Sequence, residues 1–315
     1  MAHEESPFFE DCGIRIRSDN HEDLLKLKRN EIIKVFNQSG LVFLSGFASS
    51  MEKFKRFSDR FGSDFSNYAG GSHGRAKVKG YEDIAEASNF AINRPAVGGS
   101  SIPAHSEMTY LDNFPKIVWF TCSRPAVAGG QTTIYDGIRV WEMLSPSTQS
   151  LFRKKRIKYT ACYLESMWPE IFQDSTLEGV KAVCEKNGVG WKVGDFVSGG
   201  KVLYTNYSCW ATKTHRFGDK PAFVNHILTS IWVEALGANF VRVRFEDSTR
   251  IPHDVAVELF ETTESIAQEV SWQVGDILMI DNTRFLHGRR GYFGRRHVHV
   301  RQCHRPIPEF HFAAR

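Results

Sequence analysis

The sequence is organised around one short stretch, Ile102-Pro103-Ala104-His105-Ser106-Glu107. His105 and Glu107 are separated by one residue, so in an extended strand their side chains lie on the same face, because side chains alternate with a period of two. This spacing brings two ligands to one metal ion. A lone His-x-Glu pair is common by chance, however, and most such pairs are surface residues or structural core residues.

A second stretch supplies another histidine, His287. It reads Asp281-Asn282-Thr283-Arg284-Phe285-Leu286-His287-Gly288-Arg289. Two histidines and one carboxylate on one face of a metal, with the other positions open, form the arrangement of non-haem Fe(II) oxygenases. In a jelly roll, strands that are distant in sequence can lie side by side, so the long separation is no objection. We therefore predict that His105, Glu107 and His287 bind one metal ion.

The composition is that of an ordinary globular protein. The chain has 315 residues, of which 42% are hydrophobic and 24% are charged, with a formal net charge of +4. This length allows one large domain or two small ones, and we predict a single domain over residues 1–315 because no linker or repeat divides the chain. The small net charge does not indicate a nucleic acid or a membrane surface as partner, although it would tolerate an anionic substrate.

The compartment predicted from the sequence is the cytoplasm. The first residues are acidic and carry no apolar run, so no signal peptide is indicated. No stretch approaches the roughly 20 apolar residues of a membrane span. The six cysteines are scattered without a Cys-x-x-Cys pair, which favours a reduced protein without a disulfide framework.

The hydrophobic pattern predicts many short strands and a few covering helices. Helical spacing predicts helices over residues 21–38, 141–152 and 252–270, the second with a possible new start at Ser145-Pro146. Residues 155–250 alternate short strands with Gly and Asn turns, and residues 63–101 are predicted to be a long polar loop with weak strands beside the active site. We predict a mainly β fold with flanking helices and a double-stranded β-helix (jelly-roll) core.

The C-terminal third carries a specific resemblance to a known family. Its motifs are Trp272-x-x-Gly275-Asp276, the stretch from Asp281 to Arg289, and Phe293-Gly294-Arg295-Arg296. The chain resembles the taurine dioxygenase (TauD/TfdA) and clavaminate synthase-like family of Fe(II)/2-oxoglutarate-dependent oxygenases. The resemblance covers most of the chain, from the strand at 40–47 through the turn at 129–132 to the C-terminal arginines.

The resemblance assigns the iron ligands to His105, Glu107 and His287. Taurine dioxygenase itself has Asp at the acidic position, whereas clavaminate synthase and related amino-acid oxygenases have Glu, so Glu107 points to the latter branch. Family halogenases replace this carboxylate with a small residue, and Glu107 therefore argues against halogenation.

The resemblance also implies how the cosubstrate 2-oxoglutarate is held. A guanidinium can bind a carboxylate through two parallel hydrogen bonds. Arg296, nine residues after His287 (296 − 287), matches the family arginine, and Thr132 matches the family threonine that binds the same carboxylate. Arg295 and Arg301 are the alternatives, although strand alternation places Arg301 on the opposite face from Arg296.

His297 and His299 form a competing motif, because His-x-His on a strand is also metal-ligand spacing. Their side chains are predicted to face away from Arg296, and the neighbouring sequence offers no acidic partner. We therefore predict that they do not bind the catalytic metal.

The activity implied by the resemblance is oxidation of an unactivated C–H bond with O2, while 2-oxoglutarate is converted to succinate and CO2. Hydroxylation is the default outcome, and desaturation or ring formation would use the same residues. The expected substrate is a small polar, amino-acid-like molecule, with Asn89, Arg94 and Tyr110 as candidate contacts. The sequence does not indicate the oligomeric state. The alternatives are a non-catalytic jelly-roll binding protein and a Zn²⁺ or Mn²⁺ hydrolase or isomerase using the same ligands.

Arg94 offers a first test of the substrate contacts. If its guanidinium pairs with a substrate carboxylate, Arg94→Ala raises the KM for the substrate, because a charged hydrogen bond to the bound substrate is lost. Turnover of 2-oxoglutarate measured without substrate stays the same. An unchanged KM would remove Arg94 from the substrate contacts.

Overall fold

The computed structural model of the protein describes residues 3–10, 12–65, 77–87, 93–94, 98–197, 199–214, 220–237 and 241–310. The helices in this part of the chain, with 3₁₀ turns left unlabelled, are α1 (Arg29–Ser39), α2 (Met51–Ser58), α3 (Gly137–Met143), α4 (Pro146–Lys154), α5 (Trp168–Ile171), α6 (Leu177–Lys186), α7 (Ile227–Ala235) and α8 (His253–Ser265).

Strands make up most of the remaining regular structure. They are β1 (His3–Pro7), β2 (Ile14–Ser18), β3 (Leu41–Ser45), β4 (Gly62–Phe65), β5 (Lys77–Val78), β6 (Tyr81–Glu86), β7 (Asn93–Arg94), β8 (Gly98–Gly99), β9 (Ile102–His105), β10 (Ile117–Arg124), β11 (Ala128–Gly129), β12 (Thr132–Asp136), β13 (Ile157–Leu164), β14 (Gly190–Asp195), β15 (Lys201–Cys209), β16 (Thr212–Thr214), β17 (Pro221–Phe223), β18 (Val241–Phe245), β19 (Gln268–Val270), β20 (Ile277–Asp281), β21 (Phe285–Arg289), β22 (Tyr292–Phe293) and β23 (His297–Pro306).

Two sheets face each other and form the jelly-roll core. The larger sheet has the order β1-β2-β3-β20-β10-β23-β6-β5, with β4 also paired to β23. The smaller sheet has the order β19-β12-β21-β9, and its strands are antiparallel. Apolar side chains from both sheets meet between them, among them Val118 and Leu278 from the larger sheet and Ile134 and Phe285 from the smaller. This arrangement confirms the predicted fold class.

The middle strands of the larger sheet are buried on both faces. On β10, Val118 and Phe120 point into the jelly roll, whereas Ile117 and Trp119 point to the opposite side and pack in the cluster formed with α1 and α2. The same alternation holds on β3 and β20. Burial on both faces explains why the sequences of these strands are continuous apolar runs and do not alternate between apolar and polar residues.

A third layer covers the outer face of the smaller sheet. The strands β14-β15-β13-β18 form a separate antiparallel sheet. Its inner face packs with α3, α4, α7 and α8 in one apolar cluster that also includes Tyr135 and Leu286 of the smaller sheet. A further cluster lies between this sheet and the helices α5 and α6. The third layer therefore lies next to the edge of the jelly roll where β9 ends.

Several predicted helix boundaries were wrong. The helix predicted over 21–38 begins only at Arg29, because Asp23 caps a short 3₁₀ turn and Lys28 has an extended backbone. The helix predicted over 252–270 ends at Ser265, and Gln268–Val270 form a strand instead. A new helix start at Ser145-Pro146 is confirmed, since the Ser145 hydroxyl caps α4.

The segment predicted as a loop over 63–101 contains more strand than expected. Tyr81–Glu86 pair with β23 and extend the larger sheet, and Gly98–Gly99 pair with β22. Residues 155–250 were predicted to hold only short strands, but they also contain α5, α6 and α7. In the described ranges, no helix is both long and apolar enough to cross a membrane.

Arg301 anchors the larger sheet to the helices behind it. Its side chain is buried, forms ion pairs with Asp59 and Asp83, and donates hydrogen bonds to the Lys55 carbonyl and the Ser58 hydroxyl. These contacts join β23, α2 and β6. We expect Arg301→Met to lower the free energy of unfolding by about 3 kcal/mol, because both carboxylates lose a buried partner. Urea unfolding measures the loss.

The control for this variant lies on the same strand. The Arg305 side chain is 79% exposed and approaches Asp64 at 3.7 Å. Arg305→Met should change the free energy of unfolding by less than about 1 kcal/mol, as is usual for an exposed ion pair. Equal effects of the two substitutions would contradict the structural role of Arg301.

Candidate metal centre

The three predicted metal ligands come together in the structure. Ligand atoms of His105, Glu107 and His287 all lie within 4.8 Å of one another, and all three side chains are buried. His105 is the last residue of β9 and lies directly opposite His287 of β21 in the strand pairing. Their ring centroids are 4.4 Å apart. Among the residues that the structure describes, this is the one such set of three His, Cys, Asp or Glu side chains.

The surroundings of His105 favour a metal-binding form. Its Nδ1 lies 2.9 Å from the Pro103 carbonyl oxygen. A carbonyl only accepts, so Nδ1 carries the proton and Nε2 keeps its lone pair for a metal. Burial lowers the pKa of His105 well below its usual range, and the neighbouring His287 and His226 lower it further. The imidazole is therefore neutral at physiological pH, as a metal ligand must be.

Glu107 reaches the cluster by a route that differs from the predicted one. The strand β9 ends at His105, so Glu107 does not continue it, and the expectation that both residues share one strand face was wrong. The chain turns sharply at Met108, which has a φ of +55°. The side chain of Asn282 fixes this turn, because its Oδ1 accepts from the Glu107 N–H at 2.8 Å and its Nδ2 donates to the Glu107 carbonyl at 2.9 Å.

The donor set fits a divalent metal ion. Two imidazoles and one carboxylate carry a single negative charge, and the His287 Nε2 and a Glu107 carboxylate oxygen lie 3.6 Å apart. Within the described part of the chain, the Nδ1 atom of His287 is buried without a hydrogen-bond partner. The set matches the two-histidine, one-carboxylate pattern that leaves positions open for other ligands.

Thr132 and Arg296 also meet, as predicted. The Arg296 Nη2 donates to the Thr132 hydroxyl at 3.3 Å, and Trp272 Nε1 donates to the same hydroxyl at 2.9 Å. With both lone pairs of this oxygen engaged, the hydroxyl proton points outward and can be donated to an acceptor. Sequence reasoning quoted Trp272 only as part of a motif and missed this contact.

Arg296 has the environment of a carboxylate-binding cation. It donates from Nε to the Gly130 carbonyl at 2.9 Å. Burial lowers the pKa of Arg296 to about 10, and the nearby Arg289 contributes to this shift. The guanidinium is still charged at neutral pH, so an anionic ligand would compensate its desolvation.

The glycine pair before Thr132 makes this contact possible. Gly129 and Gly130 have φ values of +70° and +75°, in the left-handed region that favours glycine. A Cβ on Gly129 would lie 2.2 Å from the carbonyl oxygen of Gly291, and one on Gly130 would lie 3.0 Å from the Arg296 side chain. The turn therefore brings Thr132 close to Arg296 because neither position carries a side chain.

Arg289 is a second buried cation that sequence reasoning left unassigned. It pairs with Thr132 across β12 and β21, so the two side chains share a face with His287. Its Nη2 donates to the Ser100 carbonyl at 2.6 Å. Burial lowers the pKa of Arg289 to about 10. The motif His287-Gly288-Arg289 could have placed Arg289 on the same face as His287, since every second residue of a strand faces the same side.

The alternative cosubstrate residue Arg301 lies elsewhere. It points to the helix side of the larger sheet and is engaged by two aspartates, as described above. The proposed role for Arg301 in binding the cosubstrate is therefore not supported, and the alternation argument that separated it from Arg296 explains why.

The candidate substrate residues have different outcomes. Asn89 lies outside the described residues, and for Arg94 the structure describes only its place in β7. Tyr110 lies near the metal centre, and its ring is 5.0 Å from that of His226. The His226 ring is in turn 5.1 Å from the His105 ring. Sequence analysis assigned no role to His226 and therefore missed this position.

His297 and His299 have an acidic partner that the sequence did not reveal. Glu86 lies 3.3 Å from the Nδ1 of His297 and 3.4 Å from that of His299. It comes from β6, which is distant in sequence but pairs with β23. Burial lowers the pKa of His299 to about 4, and its Nε2 lies 2.8 Å from the Ser123 hydroxyl. This cluster is separate from the three predicted ligands.

Comparison with known proteins gives consistent results. The family model described as taurine catabolism dioxygenase TauD, TfdA family matches residues 9–304. A clavaminate synthase-like protein of Arabidopsis thaliana is 24% identical over 292 residues, which cover 89% of this chain and 86% of that protein.

Solved structures share the fold at low sequence identity. A taurine dioxygenase of Burkholderia xenovorans has a TM-score of 0.59 and 15% identity, with 98% of this chain and 91% of that chain covered. PvcB of Pseudomonas aeruginosa has a TM-score of 0.58 and 14% identity, with 96% and 91% covered.

These findings confirm the predicted family, fold class and enzyme class. The dioxygenase activity and its cofactors, Fe(II) and 2-oxoglutarate, follow from the family and agree with the buried His-Glu-His cluster. The family model spans nearly the whole chain, and the chain therefore belongs to the taurine catabolism dioxygenase TauD, TfdA family.

Proposed function

We propose that His105, Glu107 and His287 hold Fe(II), and that Arg296 and Thr132 bind the distal carboxylate of 2-oxoglutarate. The enzyme then oxidises an unactivated C–H bond of a small, amino-acid-like molecule, with hydroxylation as the default outcome. The bound iron and its cosubstrate supply the oxidation by O2, with release of succinate and CO2.

One observation carries this proposal: His287 of the metal cluster and Thr132 of the carboxylate-binding pair lie on the same face of two neighbouring strands, and Arg296 donates a hydrogen bond to Thr132. Ile134 pairs with His287 and Thr132 pairs with Arg289 across β12 and β21. The step between the two pairs is about 7 Å, the length of two residues in a strand. A five-carbon dicarboxylate can span this distance with one end at the cluster and the other at Arg296.

The chain's own residues bind and orient the reactants. Glu107 and the two histidines are buried, so they present their ligand atoms within a site largely closed to water. Arg296 offers two parallel donors, and Trp272 turns the Thr132 proton towards the cosubstrate. Donors that are already fixed in place lose little conformational entropy when 2-oxoglutarate binds, which improves both its affinity and its orientation.

The amino-acid-like substrate is supported by the acidic ligand and by similarity. Glu107 matches the branch that resembles clavaminate synthase, and the Arabidopsis relative is described as clavaminate synthase-like. PvcB is described as an Fe, alpha-ketoglutarate dependent oxygenase from an isonitrile synthetic pathway. We further propose that residues 1–315 form one domain and that the segment 63–101 lines its active site, since Arg289 contacts Ser100.

The ligand assignment can be tested without knowing the substrate. Adding Fe(II) and 2-oxoglutarate to the protein without oxygen should produce a weak metal-to-ligand charge-transfer band in the visible spectrum. The band should disappear in His105→Ala and His287→Ala. Arg296→Ala should weaken 2-oxoglutarate binding at least tenfold, because a charge-assisted pair contributes about 1.5 to 3 kcal/mol.

Arg295→Ala is the matched control for Arg296→Ala, since the adjacent Arg295 is exposed. It should leave the titration with 2-oxoglutarate unchanged. Folded protein that binds zinc or no metal and shows no band would instead favour a hydrolase or a non-catalytic binding protein.

Asn282 should act as a positioning residue for Glu107. It is fully buried and forms hydrogen bonds with the backbone of Glu107 and Pro115. We expect Asn282→Ala to raise the Kd for Fe(II) about 10- to 100-fold, as is typical when a group that orients a metal ligand is removed. Anaerobic titration with Fe(II) measures this value.

Asn37 on α1 provides the control: its amide donates to the Glu309 carbonyl near the surface, and Asn37→Ala should leave the Kd for Fe(II) unchanged. The unfolding transition of both variants distinguishes a metal-binding defect from a loss of fold. Wild-type affinity in a folded Asn282→Ala protein would show that Glu107 needs no such support.

A further inference from the structure

A pocket lined mainly by aromatic and aliphatic side chains lies beside the metal centre. It is formed between the inner face of the sheet β14-β15-β13-β18, the segment after Glu107 and the start of α7. The cavity volume is about 40 Å³, and it is about 440 Å³ when the adjoining space open to solvent is included. The rings and apolar groups that matter here are Tyr110, Tyr159, Tyr163, Tyr207, His226 and Ala161.

This pocket reaches the metal centre through His226. The His226 ring lies 5.1 Å from the His105 ring and 5.0 Å from the Tyr110 ring, measured between centroids. Tyr110 follows Glu107 by three residues. A molecule held in the pocket would therefore have one end close to the proposed iron ligands.

The chemistry of the pocket selects against a charged group. Among the described residues that line it, none is Asp, Glu, Lys or Arg. Burial raises the pKa of Tyr159 well above its usual range, so its hydroxyl stays neutral, and it accepts a hydrogen bond from the His226 N–H at 2.9 Å. A sulfonate, carboxylate or ammonium entering here would lose its hydration without a partner of opposite charge.

The arrangement of the rings favours an aromatic ligand. Tyr110 meets Tyr159 and His226 edge to face, with ring planes at 68° and 86°. Aromatic rings attract one another in such geometry beyond the area that they bury. A planar ring placed among these side chains would add contacts of the same kind, whereas an alkyl chain would gain only from burial.

We propose that this pocket binds an uncharged aromatic ring of the primary substrate, which is therefore an aryl amino acid or a close derivative. The inference rests on the proposed function and names its substrate class. The ring is anchored by the third sheet, and the carbon chain attached to the ring extends past His226 towards the metal. The charged groups of the substrate then lie outside the ring pocket.

Calorimetric titration tests the pocket independently of the iron chemistry. The probes are L-phenylalanine, L-tyrosine and L-tryptophan, with L-leucine and L-arginine for comparison, each added to the protein with Fe(II) and 2-oxoglutarate under anaerobic conditions. At least one aryl compound should bind at least tenfold more tightly than both non-aromatic compounds. With oxygen present, the same compound should increase succinate formation.

Two adjacent residues of β13 provide matched variants. Ala161 lines the ring pocket and also borders a groove on the outer side of the sheet, whereas Cys162 points to that outer face and lines the groove but not the pocket. Ala161→Phe should weaken binding of the aryl probe at least tenfold, because the new ring fills the pocket. Cys162→Phe adds the same bulk and should bind the probe as the wild type does. Val241→Phe replaces Ala161→Phe if the latter does not fold.

The outcomes separate this inference from the proposed function. Aryl probes that bind no better than L-leucine, or that bind equally to the two β13 variants, would overturn the pocket assignment while the charge-transfer band is still present. Absence of the band would overturn the proposed function, and calorimetry on the same protein would still decide whether the pocket binds an aromatic ring.

Discussion

The antiparallel pairing of β9 with β21 is the constraint on which the candidate site depends. It places His105 opposite His287, although the two residues are far apart in sequence. Because side chains alternate along a strand, a shift of one residue in this register would turn His287 away from His105. The closed double sheet holds the register, since β21 also pairs with β12 and packs its Phe285 into the apolar core.

The same ladder extends from the metal cluster to the cosubstrate end. Thr132 and Arg289 are paired two residues further along β12 and β21, and Arg296, one residue before β23, donates a hydrogen bond to Thr132. Placing cations in a largely buried site carries a desolvation cost that only an anion can offset. If Arg296 binds 2-oxoglutarate as proposed, this cost favours an anionic ligand, because an uncharged one would leave the charge of Arg296 uncompensated.

In the proposals above, the third sheet recognises the substrate and the jelly roll holds the metal. The ligands come from the jelly roll and the turn after β9, whereas the ring pocket comes mainly from β13, β15 and α7. Side chains on the inner face of this third sheet can differ in size without altering the pairing of β9 with β21. Under these proposals, the fold separates the groups that position iron and 2-oxoglutarate from those that choose the molecule to be oxidised.

The sequence by itself determined the family and the jelly-roll class, and it predicted the three candidate ligands, because its motifs match those of the family. It also separated Arg296 from Arg301 by alternation alone. It did not predict the turn at Met108 that brings Glu107 to the two histidines. Only the tertiary structure revealed the roles of Asn282, Trp272, His226 and Glu86, since each acts through a partner distant in sequence. Contacts of this kind depend on which strands become neighbours, and no local pattern of residues encodes that choice.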